Sequence, residues 1–144
     1  MNILVDTPIW SLAFRRKSAD LNSIEKSLVQ ELRDLIEEGR AQLIGIVRQE
    51  VLSGIRNPDQ FEKLRLVLRP FRDESLGLED YETAASASNR CRAKGVAMSA
   101  ADALLCAVAL RKDLAIFTTD PDFKHYSRVL PLKLHPTPAP TSYL

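Results

Sequence analysis

Ile3-Leu4-Val5-Asp6-Thr7-Pro8 sits at the start of the chain, and its reading decides the fold. Three apolar residues in a row, with no polar alternation, suit a short strand buried on both faces. Thr7-Pro8 reads as a cap followed by proline at the first helical position. A buried strand feeding directly into a helix is the opening of a β-α unit. Gln42-Leu43-Ile44-Gly45-Ile46 and Ala115-Ile116-Phe117-Thr118 read as further strands, and Leu130-Pro131-Leu132-Lys133-Leu134 as the last one. Its proline assigns that strand to a sheet edge. Ser75-Leu76-Gly77-Leu78 is short and reads as either a strand or a loop.

Helical patterns fill the spaces between. Ile24, Leu28, Leu32, Leu35 and Ile36 recur at helical spacing from Asn22 to Glu38, and Gly39 stops the run. A further helix passes through Val47, Val51 and Ile55. Asn57-Pro58 opens another, with Phe61, Leu64, Val67 and Leu68. Glu79 to Lys94 is alanine-rich and helical, Ser99 to Lys112 is an apolar helix, and Asp120-Pro121 starts a short one. Strands alternating with helices imply a parallel sheet of about five strands with helices on both faces, an α/β fold. Residues 1–134 form one domain. The tail, 135–144, carries three prolines and reads as extended.

Composition bounds the function. The chain has 144 residues, 45% of them apolar and 27% charged, the proportions of a soluble globular domain. A chain this long buries roughly 68–70% of its unfolded surface and needs no covalent staple. Its net charge of +1 gives no global attraction for nucleic acid, so any such partner must be held by a local site. Cys91 and Cys106 do not make a disulfide framework and read as buried thiols in a reducing compartment. No stretch reaches the ~18–20 apolar residues of a membrane span. With no secretory signal at the N-terminus, the expected location is cytoplasmic.

The acids carry the chemistry. Asp102 is the only charged residue between Val96 and Leu110, and an aspartate in an apolar segment needs a partner. Ser99-Ala100-Ala101-Asp102 also has the spacing of a capping box, in which the carboxylate only reaches back to a backbone N–H. Asp6 and Asp120 follow two of the strands, with Asp122 two residues further on. The active crevice of an open parallel sheet lies beyond its strand C-termini. Asp6 and Asp120 are equally readable as helix caps. Glu50 falls near Ile46, Val47, Ser53 and Gly54 on a helical wheel, either an acid on an apolar side or a border residue. Carboxylates that converge repel one another unless a cation neutralises them. Oxygen-only ligands suit Mg²⁺ or Mn²⁺. His125 and His135 stand alone and form no zinc site.

Together these pieces resemble a known family. Ile3 to Thr7, Glu50 followed by Gly54, Ser99 to Leu105, and Thr118-Thr119-Asp120-Pro121-Asp122-Phe123 are similar to the PIN domain, and within it to the VapC-type ribonuclease toxins of toxin–antitoxin pairs. The resemblance implies Asp6, Glu50, Asp102 and Asp120 as catalytic acids and Asp6, Asp102, Asp120 and Asp122 as metal ligands. It implies Thr7 and Thr118 as supporting residues and Mg²⁺, with Mn²⁺ accepted, as the cofactor. It further implies RNA as the substrate, a cognate antitoxin as the protein partner, and a homodimer. Glu50 stays open between ligand and proton acceptor. Pro8 departs from the family pattern, where Ser or Asn is common, and Pro121 is a smaller departure. Local basic runs, Arg15-Arg16-Lys17 and Lys124, His125 and Arg128, are candidates for the RNA backbone. Trp10 reads as core or interface rather than a base-stacking surface. The competing expectation is a catalytically silent interaction module on the same scaffold. A phosphoryl-aspartate protein using Asp6 is disfavoured, because no Asp stands two residues after it.

Overall fold

The structure is a computed structural model, and it describes residues 1–138. It is an α/β fold. The elements run β1 (Ile3–Val5), α1 (Thr7–Phe14), α2 (Ser23–Glu37), β2 (Ala41–Gln42), α3 (Gly45–Leu52), α4 (Pro58–Leu68), α5 (Leu78–Ala93), α6 (Ala100–Lys112), β3 (Ala115–Phe117), α7 (Asp122–Tyr126) and β4 (Lys133–Leu134). A 3₁₀ turn at Ser18–Asp20 joins α1 to α2.

Every strand pairing is parallel, in the order β2-β1-β3-β4. From β1 the chain first crosses to β2 on one side. It later returns to β3 on the other side. The switch point therefore lies between β1 and β3, where such sheets open a crevice at their carboxyl ends. Ile3, Leu4 and Val5 pair with Ala115, Ile116 and Phe117. All six are buried, as the uninterrupted apolar runs require.

Four strands are present among the described residues, where the sequence suggests about five. The second strand is two residues long, because Ile44 is the extended N-cap of α3 and Gly45 already starts that helix. Ser75–Leu78 forms no strand. What remains of a fifth is a single parallel bridge, Leu43 to Asp73, with Glu74 N–H donating to Leu43 O at 2.7 Å. The last strand is shorter than its apolar run. Leu130 closes the turn after α7 by donating to Tyr126 O, and Pro131 has no N–H to give.

The helices pack as two groups, α1 with α2 and α3, and α3 with α4, against the separate pair α5 and α6. Helix α2 carries the capping box of Asn22 and Glu25 and buries Leu28, Leu32 and Leu35. Ala84, Ala103 and Ala107 form the contact between α5 and α6. Their small side chains let the two helix backbones approach. Trp10 is fully buried; its indole N–H donates to Val5 O at 3.0 Å, and its ring packs on Phe14 and Phe71. Cys91 and Cys106 are both buried and free. The third helix stops at Leu52, before Ile55. His135 N–H donates to Ile116 O, continuing the edge pairing. Residues 139–144 of the expected tail lie outside the described residues. No helix among the described residues is long and apolar enough to cross a membrane.

Candidate metal centre

The two central strands end side by side, and each delivers a polar residue at the next position. Asp6 N–H donates to Phe117 O at 2.9 Å. This extends the β1–β3 ladder by one step and brings Asp6 against Thr118. The Thr118 hydroxyl donates to Asp6 Oδ2 at 2.8 Å, and the same oxygen of Thr118 accepts from Asp120 N–H at 3.0 Å. Asp6 Oδ1 accepts from Thr7 N–H at 2.8 Å. The helix-cap reading of Asp6 is therefore true, and it accounts for only one oxygen. Asp6 is 6% exposed. Burial pushes its carboxyl from an ordinary 3.8 up to about 6. Hydrogen bonds from Thr118 and Thr7 oppose the rise, while the charges of Asp102 and Glu50 add to it.

Asp102 resolves its two readings. Its backbone N–H donates to Ser99 Oγ at 3.0 Å, so Ser99 caps α6. The reciprocal half of a capping box is not formed. The Asp102 carboxylate instead accepts from the Tyr126 hydroxyl at 2.6 Å. Burial raises the Asp102 carboxyl, hydrogen bonding with the Tyr126 and Ser99 side chains opposes this, and the nearby charges of Asp120 and Glu50 raise it further. The segment around Asp102 is not buried on every side, although its composition suggests so. Asp102 lies in the half-buried first turn of α6, and full burial begins beyond it.

The short helix starts two residues later than Asp120-Pro121 suggests. Asp120 precedes it, accepting Asp122 N–H on Oδ1 at 2.9 Å and Phe123 N–H on its backbone carbonyl. Oxygens of Asp102, Asp120 and Asp122 lie within 4.8 Å of one another, the one such acidic group among the described residues. Glu50 stands beside them as an exposed residue rather than on the apolar side of α3. Its Oε1 accepts the Thr7 hydroxyl at 2.9 Å, and its charge acts on both Asp6 and Asp102.

This donor set fits a hard divalent cation. The three closest groups are all carboxylates, and no His or Cys belongs to the group. Cys106 offers no competing chemistry, since burial drives its thiol well above the ordinary range. Tyr126 is a contributor that the sequence pattern does not single out. It is 1% exposed and packs edge-on against Phe123 at 5.1 Å. The spacing of Phe123 and Tyr126 on a short helix signals core and does not reveal that the hydroxyl meets a carboxylate 24 residues away. Of the basic runs, Arg15, Arg16 and Lys17 line one surface groove, and His125 and Arg128 line another.

The PIN domain family model matches residues 3–129, and the chain belongs to the PIN domain family. Solved structures share the fold at low identity. FitAcB from Neisseria gonorrhoeae superposes with a TM-score of 0.73 at 21% identity, covering 93% of this chain and 96% of that one. VapBC2 from Rickettsia felis, bound to a DNA fragment from its promoter, gives 0.68 at 16% identity, with 94% and 98% covered. A toxin–antitoxin complex from Klebsiella pneumoniae gives 0.63 at 20% identity, with 85% and 90% covered. Comparison with curated protein sequences gives no match.

Proposed function

We propose that this chain is a divalent-metal-dependent endoribonuclease, the toxin of a type II toxin–antitoxin pair that acts as a homodimer. The observation that carries the nuclease reading is the carboxylate group of Asp102, Asp120 and Asp122 beside buried Asp6 at the β1–β3 switch point. Similarity of fold to proteins solved in toxin–antitoxin complexes supports the antitoxin partner.

Asp6, Asp102, Asp120 and Asp122 would hold Mg²⁺, with Mn²⁺ accepted. Such an ion, when bound, polarises a phosphodiester and acidifies a water. The remaining work belongs to the chain. Thr118 holds Asp6 Oδ2 and the Asp120 backbone on one hydroxyl, which ties the two strand ends together. Tyr126 fixes one oxygen of Asp102, and Asp102 places an oxygen within 4.8 Å of oxygens of Asp120 and Asp122. Thr7 fixes Glu50 Oε1, and Glu50 would serve either as a further ligand or as the acceptor for a proton of the attacking water.

The test is RNA cleavage by purified protein with Mg²⁺ or Mn²⁺, and growth on induction in cells. Cleavage is expected to vanish in EDTA and in the double variant Asp6→Asn/Asp102→Asn. Induction is expected to halt growth, and a co-encoded small protein is expected to rescue it. Full cleavage by the double variant overturns the site. An active nuclease that is harmless on induction overturns the toxin assignment and leaves the nuclease intact.

A further inference from the structure

A pocket of about 370 Å³ opens beside the acidic centre, on the side of α1 and α2. Pro8, Ser11 and Leu12, one turn of α1 apart, supply one wall. Glu25 and Leu28 of α2 supply the second, with Arg16 from just beyond α1, and Thr119 supplies the third. The volume lies at the lower end of the roughly 300–1,000 Å³ found for small-ligand pockets.

This pocket shares no carboxylate with the metal centre, and covalent connectivity holds it against that centre from two strand ends. Thr119 is bonded to Thr118 on one side and to Asp120 on the other. Thr118 is the residue whose hydroxyl joins Asp6 to the Asp120 backbone. Pro8 follows Thr7, whose N–H and hydroxyl hold Asp6 and Glu50. Two residues of chain span at most roughly 7 Å, so both walls begin within that distance of the backbone that bears Asp6 and Asp120.

The charge and polarity of the lining define the occupant. Arg16 is the one cation among the lining residues, and Glu25 pairs with it at 3.1 Å. Arg16 also donates to Asp20 O, and Glu25 accepts from Asn22 N–H. A neutralised and tethered pair gives no site for a phosphate. Pro8, Leu12 and Leu28 are apolar, and Leu28 is buried. Neither the Ser11 nor the Thr119 hydroxyl has a hydrogen-bond partner among the described residues. Apolar walls with a few open polar groups suit a flat, uncharged molecule that carries donors and acceptors on its edge. We infer that this pocket takes one unpaired nucleobase beside the phosphodiester at the acidic centre, with Ser11 and Thr119 binding its edge. This rests on the ribonuclease reading above and adds the residues that select where the strand is cut. Hydroxyls donate and accept, whereas Arg16 only donates and ionised Glu25 only accepts. The fixed pair therefore sets which order of edge groups fits, and the hydroxyls complete the hydrogen bonds.

The experiment is an NMR titration of the isotope-labelled protein in EDTA with adenosine, guanosine, cytidine and uridine. The nucleosides carry no phosphate, so neither a metal ion nor a general attraction for polyanions enters the readout. Saturable shifts are expected at the amides of Ser11, Leu12 and Thr119. The best and worst of the four nucleosides are expected to differ at least about fivefold in affinity, the net effect of one hydrogen bond. The double variant Ser11→Ala/Thr119→Val is expected to weaken the preferred nucleoside at least about fivefold, with matching thermal melts showing that the fold is kept. Absence of shifts at these amides overturns the inference. Equal affinities for the four nucleosides, or an unchanged affinity in the double variant, also overturn it. Shifts at these amides with N-acetylarginine amide and with no nucleoside make the pocket a subsite for a protein partner and overturn it as well. Cleavage is not read in this experiment. A chain that binds a nucleoside here but cuts no RNA keeps the pocket and removes the nuclease reading. A chain that cuts RNA but binds no nucleoside here does the reverse.

Discussion

Replacing Asp6 by Asn should stabilise the metal-free protein near neutral pH, although it should destroy its activity. Asp6 is buried, and its carboxyl is pushed up to about 6 from 3.8, chiefly by burial. That difference corresponds to about 3 kcal/mol. Below the ordinary value the group is protonated in both folded and unfolded chains, and the penalty is absent. As pH rises from 3.8 to about 6, the unfolded chain releases its proton while the folded chain keeps it. Stability is therefore lost through that window and stays lost above it. The introduced amide would keep, in its carbonyl oxygen, an acceptor for Thr7 N–H. Its N–H would face Thr118, whose hydroxyl could then no longer donate, at a cost of about 1 kcal/mol. The net gain near pH 7 is about 2 kcal/mol, or roughly 4–8 °C in Tm for a chain of this size. Near pH 3 the order should invert by about 1 kcal/mol. The assay is urea or thermal unfolding in EDTA across that pH range. A variant no more stable than wild type near pH 7, with no inversion in acid, refutes the reasoning. Adding Mn²⁺ should then raise the stability of wild type by about 2.7 kcal/mol at one hundred times its Kd, and leave the variant where it was.

The remaining predictions concern the neighbours of Asp102. Tyr126→Phe keeps the ring against Phe123 and removes only the hydroxyl on Asp102 Oδ2. Calorimetric Mn²⁺ affinity should fall about 10- to 100-fold, as for other groups that orient a ligand, and an unchanged affinity refutes the positioning role. Ser99→Ala removes the cap of α6 and should cost about 1 kcal/mol in urea unfolding with Mn²⁺ affinity retained. Asp102→Asn should do the opposite, losing Mn²⁺ at little cost to stability. Mn²⁺ affinity retained in Asp102→Asn would mean that Asp102 serves only the helix terminus.

Legibility in the sequence depends on the range of the interaction. Short-range signals translate directly into structure. Asn22 with Glu25, Ser99 before α6, and Asn57-Pro58 at the start of α4 each cap the helix their spacing implies. Weakly paired segments are less legible. Gln42 to Ile46 has the composition of a strand, yet only Ala41–Gln42 pairs, because the edge neighbour of Leu43 is a single residue, Asp73. The face of Glu50 is equally hard to read. A helix as short as Gly45–Leu52 has too few turns for periodicity to separate an apolar side from its border.

Chain order alone is enough to say which residues enter the strands and which acids come after them. Buried parallel strands must be apolar throughout, and the residue beyond the end of such a strand is set by covalent connectivity. Thus Asp6 beyond β1 and Asp120 beyond β3 are readable as a pair before the chain is folded. How the carboxylates meet is decided only in three dimensions. The register of Val5 with Phe117 brings Asp6 to the Thr118 hydroxyl, and the packing of α7 brings Tyr126 to Asp102. Folding also gathers Arg56 and Lys63 beside Arg15 and Lys17, into a groove that no single segment contains. Hydrogen bonds and electrostatic forces act across space between residues far apart in the chain. Their partners are therefore set by packing, which the pattern along one segment does not specify.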